Sequence, residues 1–142
     1  MIVCIIPEDA LSAEQRQSLE RSLPELVEQL GPKARSVVVW NPVAAGNGYT
    51  GGQANHCSIC HVQVPAETSL AQREALMRAV CERWCETTGM SRYQLMVTTP
   101  DAATVRGTLR AMLGPMRPGA KVSYLGRLAT QALRQRWQTR GA

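Results

Sequence analysis

One pattern is written twice in this chain, and that duplication restricts the fold more than anything else in the sequence. Shifting by 57 residues lays Ser12, Gln15, Arg16 and Leu19 on Ser69, Gln72, Arg73 and Leu76. In each copy a short apolar run, Met1 to Ile6 and then Cys57 to Val64, precedes a Ser-x-x-Gln sequence. Such a serine and glutamine satisfy each other's free backbone amides at a helix start, so a helix is expected after each strand. Leu19, Leu23, Leu26, Val27 and Leu30 line one face of the first helix, which Gly31-Pro32 should end and Pro24 should kink or restart. In the second helix Leu76, Val80 and Trp84, flanked by Met77 and Cys81, form the buried stripe, with Gly89 just past its end. Ser36 to Trp40 and Tyr93 to Thr98 read as the strands that close the two units. A strand-helix-strand crossover is parallel and right-handed. The expected fold is therefore α/β (α+β): a duplicated β-α-β unit with a four-stranded mixed sheet and both helices on one face.

The remaining segments fit around that core. Residues 1–142 read as a single domain, with units 1–41 and 57–99 joined by a Gly-rich connector over 42–56 that forms a loop or hairpin. Asp101 can cap a short helix from Ala102 to Leu113, Gly114 to Gly119 breaks it, and Tyr124, Leu125, Leu128, Leu133 and Trp137 mark another amphipathic stretch. This C-terminal helical extension, residues 101–142, has an apolar side expected to pack on its own domain or on a neighbouring subunit in preference to a membrane surface.

Charge is concentrated in the same extension. From Gly114 onward there are six basic residues, Arg117, Lys121, Arg127, Arg134, Arg136 and Arg140, and no acidic one, within a formal total of +5. A basic tail on a near-neutral body can meet an anionic partner or another subunit's acidic face, or form a solvated helix face. Nucleic acid is not the expected partner. No run reaches the ~18 apolar residues that a membrane span needs, and the start lacks a basic secretory n-region, so no membrane association and a cytoplasmic location are expected. Five cysteines (Cys4, Cys57, Cys60, Cys81, Cys85) cannot all pair within the chain, and reduced thiols are the simplest reading. Cys81 and Cys85, on one helical face, read as small core residues.

Cys57-Ser58-Ile59-Cys60-His61 matches the c-type haem attachment pattern, which makes a haem protein a minor alternative. Strand alternation, however, sends Cys57 and Cys60 to opposite faces, whereas attachment requires them side by side. His56, Cys57, Cys60 and His61 are soft zinc ligands by type, but residues so close together along a strand cannot wrap a tetrahedron. No metal or other cofactor is expected.

Three stretches together resemble the tautomerase superfamily, most closely the branch of cis-3-chloroacrylic acid dehalogenase. They are the opening strand with Leu11-Ser12-Ala13-Glu14-Gln15, similar to the beginning of 4-oxalocrotonate tautomerase, the Gly-rich Ala44-Ala45-Gly46-Asn47-Gly48-Tyr49-Thr50-Gly51-Gly52, and the second unit with His61 and Ser69 at matching separations. The resemblance covers residues 1–101. It implies a β-α-β-β-α-β protomer assembled as a homotrimer, with pockets near the amino termini. It also implies tautomerase or hydratase-dehalogenase chemistry on small 2-oxo or unsaturated acids, run by an amino-terminal proline with arginines that bind the substrate carboxylate.

The chain departs from that scheme. Met1 stands in the proline's place, and Ile2 is too bulky for the usual methionine trimming. The family's arginine pair falls on Pro65 and Thr68, its first-helix histidine near Val27, its water-activating tyrosine near Thr98 and its late glutamate near Leu109. The expectation is therefore weak, redirected or absent activity, with the Met1 α-amine, whose reference pKa is about 7.7–8.0, as the candidate catalytic group. Arg106 and Arg110, one helical turn apart, are candidate anchors for a small carboxylate-bearing molecule, and Tyr49 and Asn47 are candidates to line the same cavity. The alternative is a non-catalytic trimer that binds an anionic partner through its basic tail.

Overall fold

The computed structural model describes residues 1–31, 36–50, 53–54 and 57–138. Pro32, Gly51, Gly52, Asn55, His56 and Arg140 lie outside the described residues, as do the side chains of Leu109, Leu128, Arg134, Arg136 and Trp137.

In chain order the elements are β1 (Ile2–Pro7), α1 (Ala13–Glu28), β2 (Val38–Val43), β3 (Tyr49–Thr50), β4 (Gln53–Ala54), β5 (Ser58–Val62), α2 (Leu70–Thr88), β6 (Leu95–Thr98), α3 (Ala102–Leu113) and α4 (Pro118–Gln138). Strands β1 and β2 pair in parallel, as do β5 and β6, and β1 joins β5 antiparallel, which gives one four-stranded sheet in the order β2-β1-β5-β6. The two units thus meet edge to edge through their opening strands. The connector forms the small antiparallel hairpin β3-β4.

Both helices begin where the repeat places them. Ser12 Oγ accepts the Gln15 N–H at 3.2 Å while Gln15 Oε1 accepts the Ser12 N–H at 2.9 Å, and Ser69 and Gln72 repeat the exchange at 3.3 and 3.0 Å. Gly89 closes α2 in the left-handed conformation, at φ 72°, that a Cβ would disfavour. The buried apolar helix residues are equivalent across the repeat: Leu19, Leu23 and Val27 in α1, Leu76, Val80 and Trp84 in α2. They pack on Ile2, Cys4, Ile6, Cys60 and Val62, the strand residues that alternation sends to the helix side. Ile2 pairs with Val38 and Ser58 with Leu95, so the connection from strand to helix is one residue longer in the second unit. That extra residue lies in the loop, where it leaves the inward faces of both strands intact.

The edges of the elements differ from the sequence reading in physically understandable ways. Pro24 neither restarts nor ends α1, which runs on to Glu28, because Leu23 and Val27 on either side of it are fully buried against the sheet. The second strand starts at Val38 instead of Ser36 and extends through Pro42 to Val43. A proline is tolerated there because β2 is an edge strand. Residues Arg92–Gln94 form a 3-10 turn capped by Ser91, so the last strand begins at Leu95 and not at Tyr93. The break expected over Gly114 to Gly119 is shorter, since α4 already starts at Pro118, a residue suited to a first helical position.

The sheet's other face is open. Val3, Ile5, Ile59 and His61 are only half-buried there, and Met96 is exposed. At the β2 edge α4 packs against the sheet, and Val39, which points away from α1 and α2, is buried.

Candidate functional site

Strand pairing fixes the amino terminus at one end of a central strand. The Ile2 N–H donates to the Val37 carbonyl at 2.8 Å and the Met1 carbonyl accepts the Gln63 N–H at 2.9 Å, so the first residue is gripped from both sides. Its amine donates to Ser36 Oγ at 3.3 Å. Burial pushes the pKa of that amine below its ordinary value of about 8, because removing water disfavours the ammonium form. A neutral amine is a proton acceptor and its conjugate acid a donor. Ser36 reads in sequence only as the start of a strand, and its position beside the amine follows from the in-register pairing of β1 with β2.

Two loops border this end of the sheet, and Arg73 ties them together. Its Nε donates to the Thr68 carbonyl at 2.9 Å, one terminal nitrogen reaches the Thr99 carbonyl, and the other bonds Pro65 and Ala66 carbonyls at 3.4 Å. Val64 adds a bridge to Asp101 and donates its N–H to the Pro100 carbonyl at 3.0 Å. A guanidinium therefore does reach the loop of Pro65 and Thr68, where the resemblance leaves no arginine, but it serves the backbone. In the first unit Arg16 donates to the Glu8 carbonyl at 3.0 Å, so the repeated arginine clamps a loop in both copies. Arg73→Met is expected to cost about 1–3 kcal/mol in urea unfolding, the usual range for losing hydrogen bonds from a charged donor, here to carbonyls that are at most partly buried. An unchanged midpoint would show that the clamp carries no stability.

The candidate residues separate into two groups. Helix α3 leaves directly from the end of β6, which is the Met1 end of the sheet, and carries Arg106 and Arg110, both exposed. Asn47 and Tyr49 follow the far end of β2, and Tyr49 is 71% exposed. Because β1 and β2 are parallel, a strand of this length puts them about 20 Å from Met1 of the same protomer. A single copy of the chain therefore does not gather all five around one cavity. Among the described residues a cavity of about 270 Å³ lies at the far end, beneath the loop after β2, and is lined by Ile5, Val43, Cys57 and Ile59 with Glu8 and Asp9. A shallow depression of about 570 Å³ runs along α1 at Glu14, Gln17 and Glu20. Met1 lines neither.

The Cys57 motif is divided by the sheet. Cys60 is sealed under the helices with its sulfur 3.8 Å from that of Cys4, whose pKa is raised by that hydrogen bond and by burial. Cys57 instead lines the cavity beside Ile59, and His61 Nδ1 lies 2.6 Å from Thr98 Oγ1 on the open face. Two thiols on opposite sides of a strand cannot both reach the vinyl groups of one haem. No cluster of three or more His, Cys, Asp or Glu side chains suited to a metal occurs among the described residues. Cys85 is pushed up by desolvation and by Cys81 beside it, which disfavours a reactive thiolate.

Two β-α-β units joined into a four-stranded mixed sheet, both helices on one side, constitute a tautomerase-like fold. No protein-family model matches the sequence and no curated relative does. Among solved structures the chain is similar to Ps01740, at 26% identity and a TM-score of 0.67 over 72% of this chain and 96% of that one. It is similar also to Pt0534 in the form inactivated by 2-oxo-3-pentynoate, at 26% identity and a TM-score of 0.64 over 70% and 84%. N1, a member of the cis-3-chloroacrylic acid dehalogenase family, shares the fold at 13% identity and a TM-score of 0.65 over 70% and 73%. These structural neighbours are tautomerase-superfamily proteins, and fused 4-OT proteins of the same fold form trimers, symmetric in one case and asymmetric in another. Among the described residues no helix is long and apolar enough to cross a membrane.

Proposed function

We propose that the chain is a tautomerase-superfamily protein, homotrimeric and cytoplasmic, in which the primary amine of Met1 takes the place of the amino-terminal proline. Its activity on small 2-oxo or unsaturated acids is then weak or redirected compared with relatives that keep the proline and the paired arginines. The observation that carries this reading is the half-buried Met1 amine, held on a central strand and lowered in pKa by desolvation alone. The likeness to Pt0534, itself inactivated by a 2-oxo acid, supports the substrate class.

In this mechanism the neutral amine removes a proton from the carbon beside the ketone, and the ammonium returns one to the enol. Arg106 or Arg110, from the helix that leaves the same end of the sheet, holds the substrate carboxylate. A primary amine and a carboxylate anchor on an exposed helix position the substrate loosely, which accounts for low turnover.

The direct test is covalent. An amine adds to the alkyne of 2-oxo-3-pentynoate, and intact-mass and peptide analysis are expected to place one adduct on a retained Met1. Labelling confined to cysteine peptides, or a chain processed past Met1, would remove the amine from the mechanism.

The lowered pKa also sets the sign of a stability effect. The unfolded amine binds its proton more tightly than the folded one, so stability rises with pH across the window between the folded value and the unfolded value near 8. Urea midpoints measured through that window are expected to climb, and N-acetylation is expected to flatten the climb.

A further inference from the structure

Cys4 and Cys60 have no part in the chemistry at Met1, and the antiparallel seam between the two units sets them face to face. They are register partners in β1 and β5, both fully buried on the helix side, with their sulfurs 3.8 Å apart. The Met1 carbonyl accepts the Gln63 N–H across this seam, whereas the Ile2 N–H turns the other way, to Val37. Alternation then directs the backbone groups of Val3 and Ile5 toward β5 and those of Cys4 toward β2, so Cys4 and Cys60 exchange no backbone hydrogen bonds. Facing residues of that kind approach to about 4.5 Å between Cα atoms, within the range that a disulfide spans.

The other cysteines are placed differently. Cys81 and Cys85 stand one turn apart on α2, where Cβ atoms stay about 5–6 Å apart, beyond the ~3.5–4.5 Å that a disulfide tolerates, so the intact helix prevents a bridge. Cys57 lines the cavity on the other side of β5. In the folded chain the core pair is guarded. Both thiols lie in one cluster with Leu23, Val80 and Trp84, and the hydrogen bond to Cys60 together with burial pushes the Cys4 thiol up, away from the reactive thiolate. An oxidant meets them only where the helices have lifted from the sheet or have not yet closed over it.

We propose that Cys4 and Cys60 are a cross-strand disulfide site that locks the two β-α-β units together, formed in an opened or still-folding chain by exchange with oxidised glutathione and then enclosed by the core. One cysteine thiolate attacks a sulfur of the oxidant and releases the first glutathione; the other thiolate attacks the protein sulfur of the mixed disulfide and releases the second. Two S–H bonds of the chain are replaced by one S–S bond, the oxidant's S–S bond is broken by two electrons, and the two protons end on the released glutathiones. The bridge joins positions 56 residues apart, a long loop whose closure restricts the unfolded chain strongly. It holds β1, the strand that begins at Met1, against β5. The inference goes beyond the function proposed above and does not depend on any chemistry at the amine.

The test compares the wild-type chain with Cys57→Ser, Cys81→Ser and Cys85→Ser combined, which keeps only the core pair. After incubation with oxidised glutathione, the triple variant is expected to lose two hydrogens, to take up no N-ethylmaleimide when unfolded, and to yield the Cys4 peptide joined to that of Cys60. Bridging is expected to run at least about tenfold faster in urea just below the unfolding midpoint than in buffer. The bridged chain is expected to melt at least about 5 °C above the reduced one. Dithiothreitol should reopen the link only in urea. Thiols that still take up label after oxidation and refolding, links that join two chains, equal bridging rates with and without urea, or a bridged chain that melts below the reduced one would each overturn the inference. So would a wild-type chain that bridges Cys81 to Cys85 and leaves Cys4 and Cys60 free.

Discussion

Acetylating the Met1 amine is expected to lower phenylpyruvate ketonisation by about 10²-fold or more, the typical worth of a positioned general acid or base. Acetylation removes the basic lone pair but leaves the Met1 carbonyl, which accepts the Gln63 N–H, and the Ile2 N–H, which bonds Val37. The grip of the sheet on the first residue therefore survives, and a lost rate reports chemistry and not unfolding. The pH profile distinguishes the two further. With a free terminus, activity should fall as pH drops through an amine pKa lower than that of an exposed terminus, and this limb should vanish from whatever rate remains after acetylation. Equal rates for the two forms would exclude the amine as the proton carrier.

Trp84→Ala is expected to cost about 3–5 kcal/mol, the range for deleting a fully buried aromatic side chain. Trp84 is completely buried between α2 and the sheet, with its ring centroid 6.1 Å from that of Trp40, whose Nε1 in turn donates to Glu20 Oε1 at 2.6 Å. A loss of that size is a large fraction of the ~5–15 kcal/mol that holds an ordinary domain together. Trp84→Phe should cost much less, because the indole Nε1 has no hydrogen-bond partner among the described residues and its removal relieves a buried orphan donor. Urea unfolding followed by circular dichroism separates the two variants. An alanine variant within about 1 kcal/mol of the parent would mean that the α2 stripe does not organise the core.

What was legible in the sequence is what depends on neighbours along the chain. The Ser-x-x-Gln caps and the Leu19, Leu23, Val27 and Leu76, Val80, Trp84 stripes are local, and each appears where the repeat puts it. Strand alternation at Cys57 and Cys60 likewise gives the right faces. Strand ends depend on tertiary position: nothing local says that Pro42 lies on an edge strand, where a missing N–H is harmless, or that Ser91 tightens the approach to β6 into a 3-10 turn. The role of Arg73 is invisible for a similar reason, since its four carbonyl partners, at Pro65, Ala66, Thr68 and Thr99, come from two separate loops. The grouping of the candidate site needed only one more step. Parallel pairing of the first two strands already places the Gly-rich loop, with Asn47 and Tyr49, at the opposite end of the sheet from Met1, while Arg106 and Arg110 follow a strand that ends at the Met1 end, two strands away. Identity of residue type alone does not reveal that division.

The Met1 amine is the hinge of the functional reading, and its protonation can be observed without any substrate. With methionine labelled in ¹⁵N and ¹³C, an NMR titration follows the Met1 α-carbon from pH 5 to pH 10, a range that spans the reference value of about 7.7–8.0. A midpoint clearly below that reference is the predicted result. A midpoint at or above it would contradict the account, because the terminus would then be an ordinary solvated amine.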